Sequence, residues 1–276
     1  MSPYCYSDGK VKKIDQAKLL VTDLAILRGF AVFDFFRIYN QKPFHLKDHF
    51  DRFVKSARVL GLSVPMSVDA LEKIVKELLK KNKLNDASIK IVLTGGETDD
   101  GISLQPKASK IFVLMDKQHH LPEKYFTKGA KLITYNHQRV VPQTKNSSYI
   151  PAVMLQAKKK KAGAVEILYL DNGLVLECAT SNIFLVKNKV LITPKTNILN
   201  GITRKTVISL AKKQKIKVEE REVSIEELLT ADEVFITATN KLVCPIVKID
   251  QTKISQDKVG EVTTKLLESY KKLILN

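Results

Sequence analysis

The second half of this chain contains a closely spaced series of short apolar runs, and this pattern limits its fold more than any other feature. The runs include VEILYL, LVLECA, NIFLV and KVLITP, with turn residues at Asp171-Asn172-Gly173 and Lys187-Asn188. Asn-Gly between two apolar runs is typical of a two-residue β-hairpin. Because helical patterns do not alternate regularly with these strands, the sequence predicts an α+β fold rather than a doubly wound parallel sheet.

Helical patterns are concentrated in the first half of the chain and towards its end. Asp48 and Ser67 are the expected N-caps of two amphipathic helices in the first half. Further helices are predicted over residues 203–214, 225–230 and about 256–274.

A polar, proline-containing segment divides the chain. Residues 118–128 (QHHLPEKYFTK) show no apolar periodicity and have the character of a linker. We therefore expect an N-terminal α/β domain over residues 1–117 and a β-rich C-terminal α+β domain over residues 129–276.

The chain is strongly basic, with 46 Lys and Arg against 29 Asp and Glu and a formal net charge of +17. Only seven of the basic residues are arginines, although bidentate recognition of phosphates and bases favours arginine. The densest lysine run, 158–161, follows Val153 and Met154 and is interpreted as the solvated end of an amphipathic helix. We therefore expect no nucleic-acid partner. A non-catalytic, basic nucleic-acid-binding protein is the alternative from a different functional class.

Cysteine usage and hydropathy indicate the compartment. Cys5, Cys178 and Cys244 are widely spaced and form no CxxC pair, so neither a disulfide framework nor a metal site is expected. The most apolar stretch, 19–36, is interrupted by charged residues, and the N-terminal segment lacks the apolar core of a signal peptide. These features predict a cytoplasmic protein without a membrane partner.

Several motifs stand in a specific order along the chain. Lys145 lies in PQTKNSSYIPA, Glu177 in LVLECATSNIF, Gly201 opens GITR, and Ala238 opens ATNK. Taken singly, Lys145 could be a solvated loop lysine, Glu177 a paired carboxylate and GITR a plain helix cap. Together with HFDRF around Arg52, their order resembles the class IV pyridoxal-phosphate aminotransferases over nearly the whole chain. That fold-type IV family includes D-amino acid aminotransferase, branched-chain aminotransferase and aminodeoxychorismate lyase.

The resemblance implies a two-domain enzyme that binds pyridoxal 5′-phosphate between its domains and functions as a homodimer. Lys145 matches the catalytic lysine that bonds to the cofactor aldehyde, and Glu177 matches the carboxylate that pairs with the pyridine nitrogen. Tyr149 is similar to the tyrosine that reaches the cofactor's phenolate oxygen. The implied phosphate-binding residues are one arginine and two turns, namely Arg52, Ile202, Thr203, Ala238 and Thr239.

These residue types also suit the chemistry that the cofactor requires. Pyridoxal chemistry needs an amine nucleophile, an acid partner that keeps the ring nitrogen protonated, and hydrogen-bond donors for a phosphate. A helix N-terminus and a guanidinium group are suitable phosphate donors.

The residues that would hold the substrate's α-carboxylate depart from the family patterns. The loop TGGETDDGISLQ lacks the arginine and histidine that D-amino acid aminotransferases place there, and the Gly-Met-Gly-Val-type signature of branched-chain enzymes is missing. Arg28, within LAILRGFAVF, is the first candidate because a buried charge needs a partner, and a structural ion pair is its alternative. Lys90, on the strand face opposite Ile89 and Ile91, is the second candidate, with a solvated strand face as its alternative.

Phe33 and Phe35 alternate on a predicted strand and align with pocket-lining positions of the family, with plain core as the alternative. The resemblance therefore predicts pyridoxal-phosphate-dependent transamination between an amino acid and a 2-keto acid, of the D-amino acid or branched-chain type. Aminodeoxychorismate lyase is the alternative within the family, because the same proton abstraction can lead to elimination of pyruvate.

Overall fold

The computed structural model describes residues 2–275, which divide into two compact units. Unit 1 contains the chain up to His119 together with Thr144–Ser148. Unit 2 contains His120–Gln143 and the chain from Tyr149 onward.

The short segment Thr144–Ser148 belongs to unit 1 although the chain on both sides of it belongs to unit 2. Asn146 forms an isolated antiparallel bridge with Val32, and Ser147 N donates a hydrogen bond to Ala31 O at 3.0 Å. The linker pattern alone predicts this segment in the C-terminal domain. Its partners lie as much as 118 positions earlier in the chain, so no local pattern indicates where it packs.

Unit 1 is built on a six-stranded antiparallel sheet with two long helices. Its elements in chain order are β1 (Tyr4–Ser7), β2 (Lys10–Lys13), a 3₁₀ helix (Ile14–Gln16), α1 (Leu24–Arg28), β3 (Ala31–Tyr39), β4 (Lys42–Pro43), α2 (Leu46–Val59), α3 (Val68–Asn82), β5 (Ala87–Thr94), a 3₁₀ helix (Pro106–Ala108) and β6 (Ile111–Asp116). The strand order is β2-β1-β6-β5-β3-β4.

The core of unit 1 forms where α2 and α3 pack on one face of the sheet. Alternation along β3 places Val32, Phe36 and Ile38 on this face, where they are fully buried. Phe53 of α2 and Leu78 of α3 belong to the same cluster. Burying a large apolar side chain of this kind contributes about 2 kcal/mol, so this face fixes which side of β3 points inward.

The two predicted helix caps have different outcomes. Ser67 caps α3, since its Oγ accepts a hydrogen bond from Ala70 N at 3.2 Å, and that prediction is confirmed. Asp48 does not cap α2, because the helix begins earlier, at Leu46, after His45 in the left-handed conformation. Asp48 Oδ2 instead pairs with His45 Nδ1 at 3.0 Å inside the first turn.

Unit 2 is built on a nine-stranded mixed sheet. Its elements in chain order are α4 (Lys124–Thr127), β7 (Ala130–Asn136), α5 (Ile150–Met154), α6 (Gln156–Lys161), β8 (Glu166–Asp171), β9 (Leu174–Cys178), β10 (Asn182–Lys187), β11 (Val190–Thr193), α7 (Ile202–Lys213), β12 (Val218–Glu220), α8 (Ile225–Leu229), β13 (Glu233–Ala238), β14 (Leu242–Ile249), β15 (Thr252–Lys253), a 3₁₀ helix (Ser255–Asp257) and α9 (Glu261–Leu275). The strand order is β12-β11-β10-β13-β14-β7-β8-β9, with β15 paired to β14. The pairings β11–β12, β14–β7 and β7–β8 are parallel.

The predicted Asn-Gly hairpin joins β8 to β9. Asn172 and Gly173 both have positive φ, 47° and 78°, as a type I′ turn requires. The two strands contribute Leu168 and Val175 to the largest apolar cluster of unit 2. The turn chemistry and the strand pattern therefore agree, and this hairpin is confirmed.

The segment after Tyr149 differs from the expected amphipathic helix. The chain forms two short helices, α5 and α6, and Val153 and Met154 are 70% and 67% exposed. Within α5 it is Ala152 that turns inward, so the apolar pair faces outward. Across residues 2–275, none of the helices combines the length and apolarity needed to cross a bilayer.

Candidate active site

One face of α2 carries polar side chains in the interior of unit 1. His49, Arg52 and Ser56 follow the spacing i, i+3, i+7 and so share a side of the helix. Asp34, in the buried row of β3, accepts hydrogen bonds from Arg52 Nε and Nη2, both at 2.8 Å. His49 Nδ1 lies 2.7 Å from Asp34 Oδ1. We call these three residues the Asp34–His49–Arg52 triad.

The triad has a defined charge state. Burial opposes ionisation of Asp34, but Arg52 and His49 outweigh it and hold the pKa of Asp34 well below its usual range. Burial lowers the pKa of His49, against the attraction of Asp34, so the imidazole is neutral at neutral pH. His49 Nδ1–H then donates to the ionised carboxylate. Two donors on one carboxylate fix the plane of the Arg52 guanidinium.

Lys145 is held by its backbone against β3 and α2. Its carbonyl accepts a hydrogen bond from Phe33 N at 2.9 Å, and its own amide donates to Ser56 Oγ at 3.1 Å. Its Nζ lies 4.6 Å from the centroid of the Phe33 ring, within cation–π range. Burial is the main cause of the lowered pKa of His49, and the positive charges of Arg52 and Lys145 lower it further. Unit 1 therefore brings Lys145, Phe33 and the triad together.

The second candidate for the substrate carboxylate lies over the same ring. Lys90 Nζ is 5.8 Å from the Phe33 centroid, and Lys90 faces Phe35 in the β3–β5 register. Lys90 is exposed while Ile89 and Ile91 are buried, as the strand alternation predicts. Phe33 and Phe35 are half-buried, and the core cluster of unit 1 does not contain them. On the side of the sheet opposite the core, β3 thus presents two aromatic rings and the neighbouring β5 presents an ammonium group.

Arg28 does not have the buried environment that the sequence suggests. It is exposed at the end of α1 and donates from Nη1 to Leu27 O at 2.9 Å. The helix has five residues and ends at Gly29 in the left-handed conformation. Ile26 and Leu27 are exposed as well, so the apolar run around Arg28 lies largely on the surface. The interpretation of Arg28 as a buried charge in need of a partner is therefore wrong.

In unit 2, Glu177 is a buried carboxylate with several donors. Its Oε1 accepts a hydrogen bond from Arg139 Nη1 at 2.8 Å, and both side chains are buried. Its Oε2 accepts from Leu199 N at 3.1 Å and from Asn182 Nδ2 at 3.4 Å. A buried carboxylate with a cation and two amide donors is held ionised and in a fixed orientation.

Asn182 connects Glu177 to the start of α7. Its Nδ2 also donates to Leu199 O at 2.8 Å. A Cβ on Gly201 would come within 2.1 Å of Asn182 Oδ1, so the chain requires glycine at the N-cap of α7. Within the described part of the chain, no side chain caps this helix. Its first N–H groups are therefore suited to an anionic ligand.

Ile202 and Thr203 occupy the first turn of α7, and Arg204 fixes it in place. The buried Arg204 guanidinium donates from Nη2 to Pro194 O and to Glu220 Oε2, both at 2.9 Å. Ile202 and Thr203 are themselves buried. The GITR segment is thus a rigid helix start rather than a mobile loop.

The turn after β13 carries the second pair of predicted phosphate ligands. Ala238 and Thr239 are half-buried. The preceding Thr237 faces Asn182 in the β10–β13 register, so this turn lies beside the Glu177 and Gly201 region. Among the described residues, the buried Thr237 hydroxyl has no hydrogen-bond partner. An unpartnered buried hydroxyl next to the turn indicates a place for a further polar ligand.

Tyr149 lies at the N-cap of α5, half-buried against the cluster that contains Ile133 and Tyr169. Burial, with Glu166 and Tyr149 nearby, raises the pKa of Tyr169 to about 12. Both tyrosines are therefore part of a largely apolar layer of unit 2.

Several polar residues of these sites were not singled out from the sequence, among them Asp34, His49, Ser56, Arg139, Asn182 and Thr237. Asp34 interrupts the apolar run AVFDFF, and a carboxylate buried in such a strand needs a cation as its partner. The sequence alone therefore indicates that Asp34 belongs to a buried ion pair. The partner of Glu177 is less accessible to sequence reasoning. Arg139 is 38 positions away, and nothing in the spacing distinguishes it from other arginines.

Each unit, taken by itself, presents groups of the kinds that bind pyridoxal 5′-phosphate, the cofactor that the resemblance implies. Unit 1 offers an amine, Lys145, and an oriented guanidinium, Arg52. Unit 2 offers an ionised carboxylate, Glu177, for a protonated ring nitrogen. It also offers an uncapped helix start at Gly201 and the unpartnered hydroxyl of Thr237 for an anion.

Comparison with known proteins gives consistent matches over nearly the full length. A family model described as "Amino-transferase class IV" matches residues 31–249. A Methanocaldococcus jannaschii protein, named provisionally as a branched-chain-amino-acid aminotransferase, is 36% identical over 274 residues, covering 96% of this chain and 94% of the relative. The D-alanine aminotransferase of Staphylococcus epidermidis is 29% identical over 273 residues, covering 98% and 97%.

Among solved structures, the T.th. branched-chain amino acid aminotransferase complexed with N-(5′-phosphopyridoxyl)-L-glutamate superimposes with a TM-score of 0.89. The two share 28% sequence identity, and the match covers 99% of this chain and 94% of that one. The molecule in that complex joins a phosphopyridoxyl group to an amino acid.

Proposed function

The chain belongs to the class IV aminotransferase family, and from this membership we propose how its own residues carry out the family's reaction. It is a pyridoxal-phosphate-dependent aminotransferase, which moves an amino group between an amino acid and a 2-keto acid. The cofactor, when bound, supplies an aldehyde that captures the amino group and a ring that accepts electrons.

Lys145 is the catalytic residue of this proposal. With pyridoxal phosphate bound, the Lys145 amine would hold the cofactor through its aldehyde carbon and, once freed by the substrate amine, would carry the proton that leaves the substrate Cα to that same cofactor carbon. The observation that carries the proposal is the placement of this lysine. Its backbone is hydrogen-bonded to Phe33 and Ser56, while its Nζ lies over the Phe33 ring. Such anchoring lets the side chain move a proton between two atoms without moving the backbone.

The remaining residues are proposed to bind the charged and polar groups of the cofactor. Arg52 binds the phosphate, because Asp34 and His49 hold its guanidinium in one plane. The N–H groups of two turns complete the phosphate site, with the residues Ile202, Thr203, Ala238 and Thr239. Glu177, kept ionised by Arg139, holds a proton on the pyridine nitrogen. Tyr149 donates to the phenolate oxygen.

For the substrate carboxylate we propose Lys90 rather than Arg28. Lys90 shares the Phe33 ring with Lys145, whereas Arg28 lies exposed at the end of α1. Phe33 and Phe35 present apolar surface beside that ammonium group, which favours amino donors with small or branched apolar side chains. Two relatives carry names that specify amino acids of this kind, branched-chain amino acids in one case and D-alanine in the other.

The enzyme is further proposed to be a cytoplasmic homodimer. Its three cysteines are free thiols, which suits a reducing compartment. In unit 1, Val21 and Ile26 are 74% and 52% exposed, and in unit 2 Ile150, Val153 and Met154 form an exposed apolar group on α5. Exposed apolar groups of this kind are typical of protein–protein interfaces, and a second copy of the chain is the proposed occupant.

The experiment that tests this function is reductive labelling. Borohydride treatment of the enzyme loaded with pyridoxal 5′-phosphate should fix the cofactor on the peptide that contains Lys145, as read by mass spectrometry. Lys90→Met is the matched control and should leave the label on the Lys145 peptide. A label on any other lysine would overturn the assignment.

An activity panel then separates the substrate classes. L-leucine, D-alanine and aminodeoxychorismate are supplied side by side, with 2-oxoglutarate as acceptor for the two amino acids. Formation of glutamate from either amino acid supports the transaminase. Release of pyruvate from aminodeoxychorismate without glutamate formation would instead identify the lyase.

A further inference from the structure

The turn between β13 and β14 is fastened by a buried lysine. Lys241 is only 6% exposed, and its Nζ donates to Thr180 Oγ1 at 2.7 Å and lies 3.8 Å from Glu166 Oε1. Glu166, 4% exposed, accepts hydrogen bonds from Thr180 N at 2.8 Å and from Thr180 Oγ1 at 3.2 Å. These three residues form a closed group of ammonium, hydroxyl and carboxylate, which we call the Lys241 cluster.

The Lys241 cluster joins three parts of unit 2. Glu166 is the first residue of β8, and Thr180 lies in the turn between β9 and β10, shortly after Glu177. Lys241 follows Ala238 in the β13–β14 turn, and Lys241 N donates to Ala238 O at 3.1 Å. The side chain of Lys241 therefore ties the turn to the end of the strand that carries Glu177, while its backbone closes the turn itself.

The conformation of this turn is one that the backbone does not favour by itself. Leu242, directly after Lys241, has a φ of 53°, in the left-handed region that a bulky non-glycine residue rarely adopts. Such a conformation persists only where surrounding contacts hold it. The buried ion pair of Lys241 with Glu166 is a contact of this kind.

We infer that Lys241 is a positioning residue for the cofactor phosphate. Its pairing with Glu166 and Thr180 holds the Ala238 and Thr239 amides in the conformation that receives the phosphate. Lys241 does not touch the phosphate, because its ammonium is directed to the buried Glu166 side chain, while Ala238 and Thr239 are half-buried. Because Glu166 neutralises the charge of Lys241, Lys241 acts by fixing the conformation of the turn and not by attracting the phosphate. The inference rests on the proposed function, in which this turn binds the phosphate.

Removing the ammonium should release the turn. Glu166 would then be a buried carboxylate without its cation, which is strongly unfavourable, and the segment would rearrange to admit water. The turn would have to be ordered again when a phosphate binds, and that ordering lowers affinity. Ligands without a phosphate do not use this turn and should be insensitive to the change.

The test compares two probes on the full-length chain after removal of its cofactor. Dissociation constants are measured by calorimetry for pyridoxamine 5′-phosphate and for pyridoxamine, which lacks the phosphate. Lys241→Met should weaken binding of the phosphorylated probe at least tenfold and leave pyridoxamine within twofold of the wild type. Lys241→Arg should recover part of the affinity. Lys189→Met, at an exposed position of the β10–β11 turn, is the matched control and should change neither constant.

Each other result has a defined meaning. Equal weakening of both probes, with a lower melting temperature, would make Lys241 a general structural residue and overturn the inference. Unchanged affinity for both probes would overturn it too. A wild type that does not prefer the phosphorylated probe would overturn the proposed phosphate site itself.

A second variant covers the case in which Lys241→Met fails to fold. Thr180→Val changes an exposed residue and removes the hydroxyl that accepts the hydrogen bond from Lys241 Nζ. It should weaken pyridoxamine 5′-phosphate selectively, by about threefold or more. A folded Thr180→Val variant with wild-type affinity for both probes would overturn the inference.

Discussion

At the scale of single residues, Lys90 and Arg28 are both basic and both exposed, but they have different neighbours. Lys90 Nζ lies over the Phe33 ring, while Arg28 donates to its own helix at Leu27. We expect Lys90→Met to raise the KM for amino acids at least tenfold, because a charge-assisted hydrogen bond contributes about 1.5–3 kcal/mol. Steady-state kinetics with L-leucine and D-alanine measure this.

Arg28→Met is the control for that prediction, since it makes the same kind of truncation at an exposed site. It should leave KM unchanged. A large rise in KM for Arg28→Met, with none for Lys90→Met, would reverse the assignment and place Arg28 in the site of a neighbouring subunit.

Residue identities were predictable where a motif carried them, and much less so where only a partner did. Lys145 and Glu177 could be selected because several motifs occur in one order along the chain. Arg139 could not, because its importance arises from burial beside Glu177, which no spacing reveals. Arg28 was misjudged for a related reason. An apolar run of sequence does not specify burial when the helix it forms has only five residues.

At the scale of elements, α2 joins the core of unit 1 to the Lys145 segment, and its buried His49 makes this arrangement sensitive to pH. Burial lowers the pKa of His49 below its ordinary value of 6.5. As pH falls below that value, the unfolded chain binds a proton that the folded chain does not, so the free energy of unfolding decreases. The decrease can reach about 1.4 kcal/mol per pH unit, the limit for one proton.

We therefore expect the urea midpoint to fall between pH 7 and pH 5, and to fall less steeply in His49→Gln, as followed by circular dichroism. Ser56→Ala, a change of a buried residue of the same helix that adds or removes no titratable group, is the control and should keep the wild-type slope. Identical slopes for His49→Gln and the wild type would show that His49 titrates alike in both states. The depressed pKa of Asp34 adds stability above its ordinary value of 3.8, and that part is lost only at lower pH.

The elements themselves followed the sequence closely where local chemistry decides. Ser67 and the Asn172-Gly173 turn act as predicted because a cap and a type I′ turn depend on adjacent residues. The start of α2 did not follow, since His45 adopts a left-handed conformation that a composition rule does not favour. The sequence also does not predict that Val153 and Met154 face outward on α5. An apolar stripe has the same sequence pattern whether it packs against the core or against another molecule.

At the scale of the whole molecule, the α+β class and the family were predictable and are confirmed. The order of the nine strands in unit 2 was not, because three of its pairings are parallel and join residues far apart in sequence. The exposed apolar group on α5 suggests how the molecules associate. Ile150 and Met154 lie one helical turn apart and are both largely exposed.

We expect analytical ultracentrifugation to give twice the mass of one chain at micromolar concentration. The double variant Ile150→Lys/Met154→Lys should sediment as a monomer, because it places like charges against each other at the proposed interface. Leu275→Lys, an exposed apolar position at the other end of the chain, should remain dimeric. A monomeric wild type would contradict the proposed homodimer.

The insertion of Thr144–Ser148 into unit 1 also sets an order for synthesis of the chain. A nascent chain emerges from its N-terminus, so the first 119 residues leave the ribosome before the segment that bridges to Val32 has been made. Unit 1 can complete its fold only after residue 148 has emerged, when unit 2 has already begun. The side chain of Lys145 is therefore absent from the early nascent chain, and it reaches its final position only after residue 148 has been made.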